Sequence, residues 1–281
     1  MIQFTNVDFS YRKKIPLLTD LNLQIVPGHI HGLLGKNGEG KSTMLKLIAG
    51  LLFPQKGNIE VFDFNPGRRK PEMLRDIYFI PEELPASSLS IEQFAKVYAP
   101  FYPKFDREQF ENYLKEFEID SAGRKMNKLS YGQKKKALIA FGLAANTKLL
   151  LMDEPTNGLD IPSKGQFRRM AASAIDDDRS MIISTHQVRD LERLIDNIII
   201  MNDHEIAFNE SIDKIAEKLV FKVSDVNEKD ASFIYSEENM RGFYQVRENL
   251  HGEDSKLDIE LLFNSVLVNK KRIKEIFISK S

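Results

Sequence analysis

The chain has 281 residues, enough for one large domain or a main domain with an appendage, and 42% of them are hydrophobic, which excludes global disorder. Lys and Arg total 40 against 41 Asp and Glu, so a net charge of −1 gives no reason to expect a nucleic acid as partner. The absence of cysteine excludes a disulfide framework and a thiolate metal site and fits the cytosol; no apolar run approaches the ~18 residues of a membrane-spanning helix, and the N-terminus lacks a basic-then-apolar signal layout.

In chain order, "MIQFTNVDFS" and "LLTDLNLQIV" alternate apolar and polar residues. Leu21, Leu23 and Ile25 share one face, which predicts antiparallel strands. Pro27-Gly28 turns the chain into "HIHGLLG", a buried strand. Glycines cluster at 35–40, and "KSTMLKLIAGLL" follows with Met44, Leu45, Ile48 and Leu52 at helical spacing. "GNIEVFDFNP" predicts a further strand pair and "RDIYFIPEELP" a short strand ended by prolines. Residues 90–120 are rich in aromatics, and Phe110, Tyr113, Leu114 and Phe117 keep helical spacing. This predicts a small helical subdomain, about 84–128, inserted into an α/β core. A helix is expected through "KKKALIAFGLAAN", with Lys134–Lys136 as a solvated face. "KLLLM" and "SMIIST" suit central parallel strands buried on both faces. "VRDLERLI" predicts a crossover helix, and "NIIIMNDHEIAFNES" a closing strand pair around an Asn-Asp turn.

Beyond about residue 211 the organisation changes. "SIDKIAEKL" predicts a helix, and "VFKVS", "ASFIYS" and "FYQVREN" predict short strands. "DIELLFNSVLVNKKRIKEIF" predicts a final helix with Leu261, Leu262, Val266 and Ile273 on its apolar face. Residues 1–210 are expected to hold every nucleotide motif, and 211–281 to form an accessory module packed on them.

"GKNGEGKS" matches G-x-x-x-x-G-K-[ST] from Gly35 to Ser42, between a strand and a helix. Glycines there let successive N–H groups face phosphate oxygens, and a helix N-terminus adds its dipole. Gly35, Asn37, Gly38, Glu39, Gly40, Lys41, Ser42 and Thr43 are the expected phosphate-binding residues. Lys41 should reach the β- and γ-phosphates and Ser42 should ligate Mg²⁺. "LLLMDE" delivers Asp153 and Glu154 at the end of a buried strand. Asp153 would hold Mg²⁺ and Glu154 would polarise the attacking water. No N-K-x-D stretch is present to read guanine. Tyr11, ahead of the phosphate loop, is the candidate to stack on a base.

"LSYGQ", at 129–133, holds no carboxylate, histidine or metal ligand. Alone it reads as a plain helix N-cap. With "DEPTNGLD" and "STH" it completes a set of motifs, in order, that resembles the ATP-binding cassette (ABC) family over residues 1–210. The resemblance implies an α/β fold: a P-loop NTPase (RecA-like) core with an antiparallel β-subdomain and an inserted helical subdomain, here with a small α+β C-terminal appendage. It implies ATP and Mg²⁺ as ligands. It also implies that Ser130, Gly132 and Gln133 cap the γ-phosphate of ATP bound to a second subunit, in a homodimer or a pair with another ABC subunit. Asp160 resembles the aspartate that links the two sites, and His186 the histidine that contacts the γ-phosphate and positions water. Three positions depart from the family pattern. Tyr131 stands where glycine is common, Glu39 where a small residue is common, and Glu82 where glutamine usually touches Mg²⁺ or water.

The implied function is an ATPase subunit coupled to an integral membrane permease, lying on the cytoplasmic face of the cell membrane. "FYPKFDREQFENYLKEFEI" resembles the helical subdomain of bacterial ABC-2-like exporters. Two rivals fit less well. A non-transport ABC protein acting in DNA repair or on the ribosome would carry a long coiled-coil insertion or a second cassette. A P-loop kinase would leave "LSYGQ" and "NGLD" unexplained.

Overall fold

The computed structural model describes residues 1–12, 15–84, 87–120, 123–227 and 229–278. Strands β1 (Ile2–Phe9), β2 (Leu18–Ile25) and β4 (Lys56–Val61) form an antiparallel sheet in the order β2-β1-β4. The larger sheet has the order β5-β6-β7-β3-β8-β9, from β3 (Ile30–Leu34), β5 (Ile77–Ile80), β6 (Leu149–Asp153), β7 (Ser180–Thr185), β8 (Asn197–Asn202) and β9 (Glu205–Ser211). All its pairings are parallel except β8 with β9.

This sheet divides the core in two. Side chains alternate across a strand, so Leu149 and Leu151 of β6 enter one apolar cluster and Leu150 and Met152 the other. The first cluster holds α1 (Lys41–Ile48) and the antiparallel sheet. The second holds α3 (Ile91–Tyr98), α4 (Arg107–Glu116), α5 (Tyr131–Ala144) and α6 (Ile161–Ser173). Phe110, Leu114 and Phe117, the predicted apolar stripe of the helical subdomain, are buried there. The short α2 (Pro71–Leu74) leads into β5.

Two expected elements are absent. "GNIEVFDFNP" forms β4 and no second strand: Phe62 and Asp63 take positive φ, and Phe64 returns to make a single bridge with Val61. "VRDLERLI" forms a 3-10 turn at Val188–Asp190 and further turns instead of a crossover helix. Ile195 lies against Gly32 of β3, and the Asp196 carboxylate accepts the Ile30 N–H, so the segment is pinned to the sheet before a helix can continue. The closing strand pair forms, with its turn at Asp203-His204, one residue later than expected.

The C-terminal residues form α7 (Ile212–Lys218), β10 (Leu219–Ser224), β11 (Phe233–Asn239), β12 (Gly242–Glu248) and α8 (Ile259–Ile278). The three strands make an antiparallel sheet in the order β10-β12-β11. Leu261, Leu262, Val266 and Ile273 of α8 join the same apolar cluster as Ile195 and Phe208. A kink at Asn269 interrupts α8, where the Asn269 amide donates to the Ile234 carbonyl at 2.6 Å.

Candidate active site

The phosphate loop runs from the end of β3 to α1. Gly38 has φ +89° with open space around its Cβ position, and Gly40 has φ +103° with Leu18 2.9 Å from its Cβ position. Both conformations favour glycine. No side chain caps α1 and its first turn carries no acid, so its N-terminal N–H groups are available to an anion. Lys41 is buried, and its ammonium donates to the carbonyls of Gly35 at 2.8 Å and Lys36 at 3.1 Å. Burial lowers its pKa, against the pull of Glu154, Asp153, Glu82 and Glu39. A buried ammonium beneath an open glycine cradle fits a polyphosphate. Glu39 turns outward and accepts the His204 N–H at 3.3 Å, which removes the carboxylate from the loop interior. The Tyr11 hydroxyl lies 3.1 Å from Thr43 Oγ1, and the ring, edge-on to Phe9, is 61% exposed beside the loop.

Strand β6 delivers Asp153 and Glu154, both buried. Asp153 Oδ1 accepts from Ser184 Oγ of the neighbouring β7 at 2.5 Å. Glu154 has φ +47°, a conformation that is strained for a non-glycine residue and occurs at functional turns. Its Oε1 lies 2.8 Å from His186 Nδ1, and its Oε2 accepts from Thr185 Oγ1 at 3.4 Å. Glu154 and His186 share one cleft with Tyr11, Lys41, Ser42 and Glu82. The Glu82 carboxylate accepts a 3.4 Å bond from the Asn157 amide. Ser42, Glu82 and Asp153 offer oxygen donors alone, and no three His, Cys, Asp or Glu side chains among the described residues enclose a metal. That donor set fits Mg²⁺, which takes one or two carboxylates and completes its shell with phosphate and water.

The turn of "LSYGQ" at 129–133, the signature turn, lies elsewhere. Ser130 caps α5: its Oγ accepts the Gln133 N–H at 3.2 Å, and Gln133 Oε1 accepts the Ser130 N–H at 3.0 Å. This capping box leaves the serine O–H proton and the Gln133 NH₂ free to donate. Ser130, Gly132 and Gln133 do not line the cleft around Lys41. A Cβ on Gly132 would stand 2.8 Å from the Gly158 carbonyl, so the signature turn and the Asn157–Gly158 turn interlock. Asp160 spends its carboxylate on its own helix, capping α6 through the Ser163 N–H at 2.8 Å.

Sequence reasoning missed three features. Ser184 orients Asp153; the signal was a hydroxyl near the end of an apolar buried strand. Lys135 is fully buried, not part of a solvated face, and donates to the Glu82 carbonyl at 3.3 Å. Glu260, Phe263 and Asn264 of α8 wall a cleft of about 700 Å³ with Gly35, Lys36 and Asn37 of the phosphate loop. The C-terminal residues therefore border the loop that begins at Gly35.

Residues 18–157 match the family described as ABC transporter. The bacitracin transport ATP-binding protein BcrA of Bacillus licheniformis is 32% identical, covering 74% of this chain and 70% of BcrA. The chain belongs to the ABC transporter ATP-binding proteins. The ABC transporter ATP-binding protein YtrB of Bacillus subtilis is 29% identical over 276 residues, 94% of this chain and 92% of YtrB. A dimeric ATP-binding cassette solved in a post-hydrolysis state with ADP and Pi superposes with a TM-score of 0.66 at 25% identity, over 75% of this chain and 99% of that one. This ABC subunit is an ATPase with the P-loop NTPase fold. No helix among its described residues is long and apolar enough to cross a membrane.

Proposed function

We propose that this ABC ATPase pairs head to tail with a second ABC subunit, its own copy or another, around two Mg-ATP, and drives an integral membrane permease in the export direction. The observation that carries this reading is the separation of Ser130 from the cleft around Lys41. Ser130 is exposed at the N-terminus of α5 and does not line the cleft of its own chain's phosphate loop. A second subunit reconciles the two. Tyr11 stacks on the base and Lys41 binds the phosphates. Glu154 takes a proton from the attacking water as ADP leaves the γ-phosphorus, and His186, bonded to Glu154, positions both. Ser42, Asp153 and Glu82 would hold Mg²⁺, which neutralises charge on the β- and γ-phosphates when bound. Exposed Val97, Tyr98 and Phe101 on the helical subdomain offer an apolar face to a permease helix on the cytoplasmic side of the membrane. Purification of the tagged chain from solubilised membranes should bring a polytopic membrane subunit with it. Export rests on the likeness of the helical subdomain to ABC-2-like exporters.

Mixing two inactive variants tests the pairing. Ser130→Arg puts a bulky cation in the cap but leaves its own phosphate loop intact, and Lys41→Ala does the reverse. In a head-to-tail pair one site then combines the intact halves of both, so mixing should restore measurable hydrolysis that neither variant shows alone. If each site were built within one chain, the mixture would stay inactive, and the trans assignment would be lost.

Nucleotide binding should rank the loop contacts. Lys41→Ala removes a charge-assisted phosphate contact and should abolish measurable ATP affinity. Tyr11→Ala removes stacking worth ~1–3 kcal/mol, about 5- to 150-fold in affinity. Isothermal titration checks both, and an unchanged affinity for Tyr11→Ala would remove the ring from the base-binding role.

A further inference from the structure

The Tyr131 hydroxyl donates to the Glu82 main-chain carbonyl at 2.7 Å. The Lys135 ammonium donates to the same oxygen at 3.3 Å and lies 5.5 Å from the centre of the Tyr131 ring. Behind the ring sits Gly158, whose Cβ position is 2.7 Å from a ring carbon. Three segments therefore meet on one tyrosine: the loop after β5, the turn after β6 and the first turn of α5.

Strand pairing leaves the Glu82 loop to these contacts. The β5 ladder ends at Ile80, so the described main chain beyond it takes its position from side chains. Lys135 raises the stakes. A fully buried ammonium is costly unless hydrogen-bonded. Burial lowers its pKa, and Glu82, Asp153 and Glu154 pull the other way. The glycine common at position 131 in the family could supply neither the hydroxyl nor the ring.

We propose that Tyr131 is a positioning residue for Glu82. It fastens the main chain behind the Glu82 carboxylate to the signature helix, so that Glu82 and Ser130 keep a fixed separation through the ATPase cycle. The proposal rests on the reading of Glu82 as a group that faces Mg²⁺ or water. Glycine at 158 is part of the same device, because a side chain there would displace the ring.

Tyr131→Phe isolates the hydroxyl, since the ring still fills the space against Gly158 and under Lys135. In the nucleotide-free protein, cleavage by a glutamate-specific protease after Glu82 and Glu83 should accelerate while the far-ultraviolet circular dichroism stays unchanged. The kcat for Mg-ATP should fall about five- to tenfold, the weight of one hydrogen bond, with KM within twofold of the parent. Half-activation should need several-fold more Mg²⁺. Unchanged cleavage after Glu82 and Glu83, or an unchanged kcat, overturns the proposal; so does a KM that rises in step with the loss of kcat, which would mean ordinary substrate-binding damage. Glu82→Ala, which removes the oxygen ligand altogether, is the control on the underlying reading. If it alters the Mg²⁺ dependence and Tyr131→Phe does not, the inference fails by itself. If Glu82→Ala changes neither kcat nor Mg²⁺ dependence, the reading of Glu82 fails and takes the inference with it.

Discussion

Glu154→Gln should bind ATP at least as tightly as the parent and hydrolyse it ~10²–10⁴ times more slowly, the usual cost of losing a general base. Glutamine has nearly the same shape, so the strained turn at φ +47° and the 2.8 Å contact with His186 Nδ1 can both persist. The carboxylate's basicity disappears, and with it the means of taking a proton from water. Loss of a negative charge beside Lys41 also relieves repulsion of the γ-phosphate. ATP should therefore persist in the variant, and gel filtration with Mg-ATP should show a dimer that outlasts that of the parent. Steady-state phosphate release supplies the rate. Hydrolysis at the parental rate would remove Glu154 from the catalytic role, whatever its geometry.

The parts of the site that sequence made legible are those whose chemistry dictates residue type at short spacing. Polyphosphate binding demands a glycine-rich curl, a lysine and a hydroxyl within eight residues, and Gly35–Ser42 satisfies it locally. The strand that carries Asp153 announces itself by four apolar residues buried on both faces. What stayed hidden depends on partners far along the chain. Lys135 looks like a member of a solvated basic run, yet its acceptor is a main-chain carbonyl 53 residues away, and a main-chain acceptor leaves no mark in residue identity. "VRDLERLI" has helical spacing at Leu191, Leu194 and Ile195, and all three are buried. Turns deliver them to the sheet as well as a helix would, because Gly32 leaves room for Ile195 on β3. The border of α8 on the phosphate-loop cleft was hidden for the same reason. Its Arg189–Glu260 ion pair and the neighbouring Phe263 join residues about seventy positions apart.

Phe141→Ala should be the most damaging core substitution, lowering stability by ~3–5 kcal/mol. The ring is completely buried in α5 and meets five others: Tyr78 of β5, Phe94 of α3, Tyr102 and Phe105 of the connecting segment, and Phe110 of α4, at centroid distances of 5.0 to 6.0 Å. One side chain thus ties the helical subdomain to the large sheet. Removing it leaves a cavity bounded by rings that cannot all collapse inward, and the melting temperature should drop by roughly 10 °C in a chain of this size. The functional loss should be uneven. Helix α1 and the phosphate loop pack in the other cluster, through Met44, Leu45 and Ile48, so ATP binding below the melting point should survive. Ser130 sits at the start of the helix that carries Phe141, and hydrolysis should fall well beyond any loss in affinity. Phe141→Leu should recover most of the stability and the hydrolysis together, since it refills much of the cavity. Calorimetry beside paired binding and turnover assays reads both outcomes. A melting shift under 2 °C, or equal losses in binding and turnover, would show that the helical subdomain does not depend on this ring.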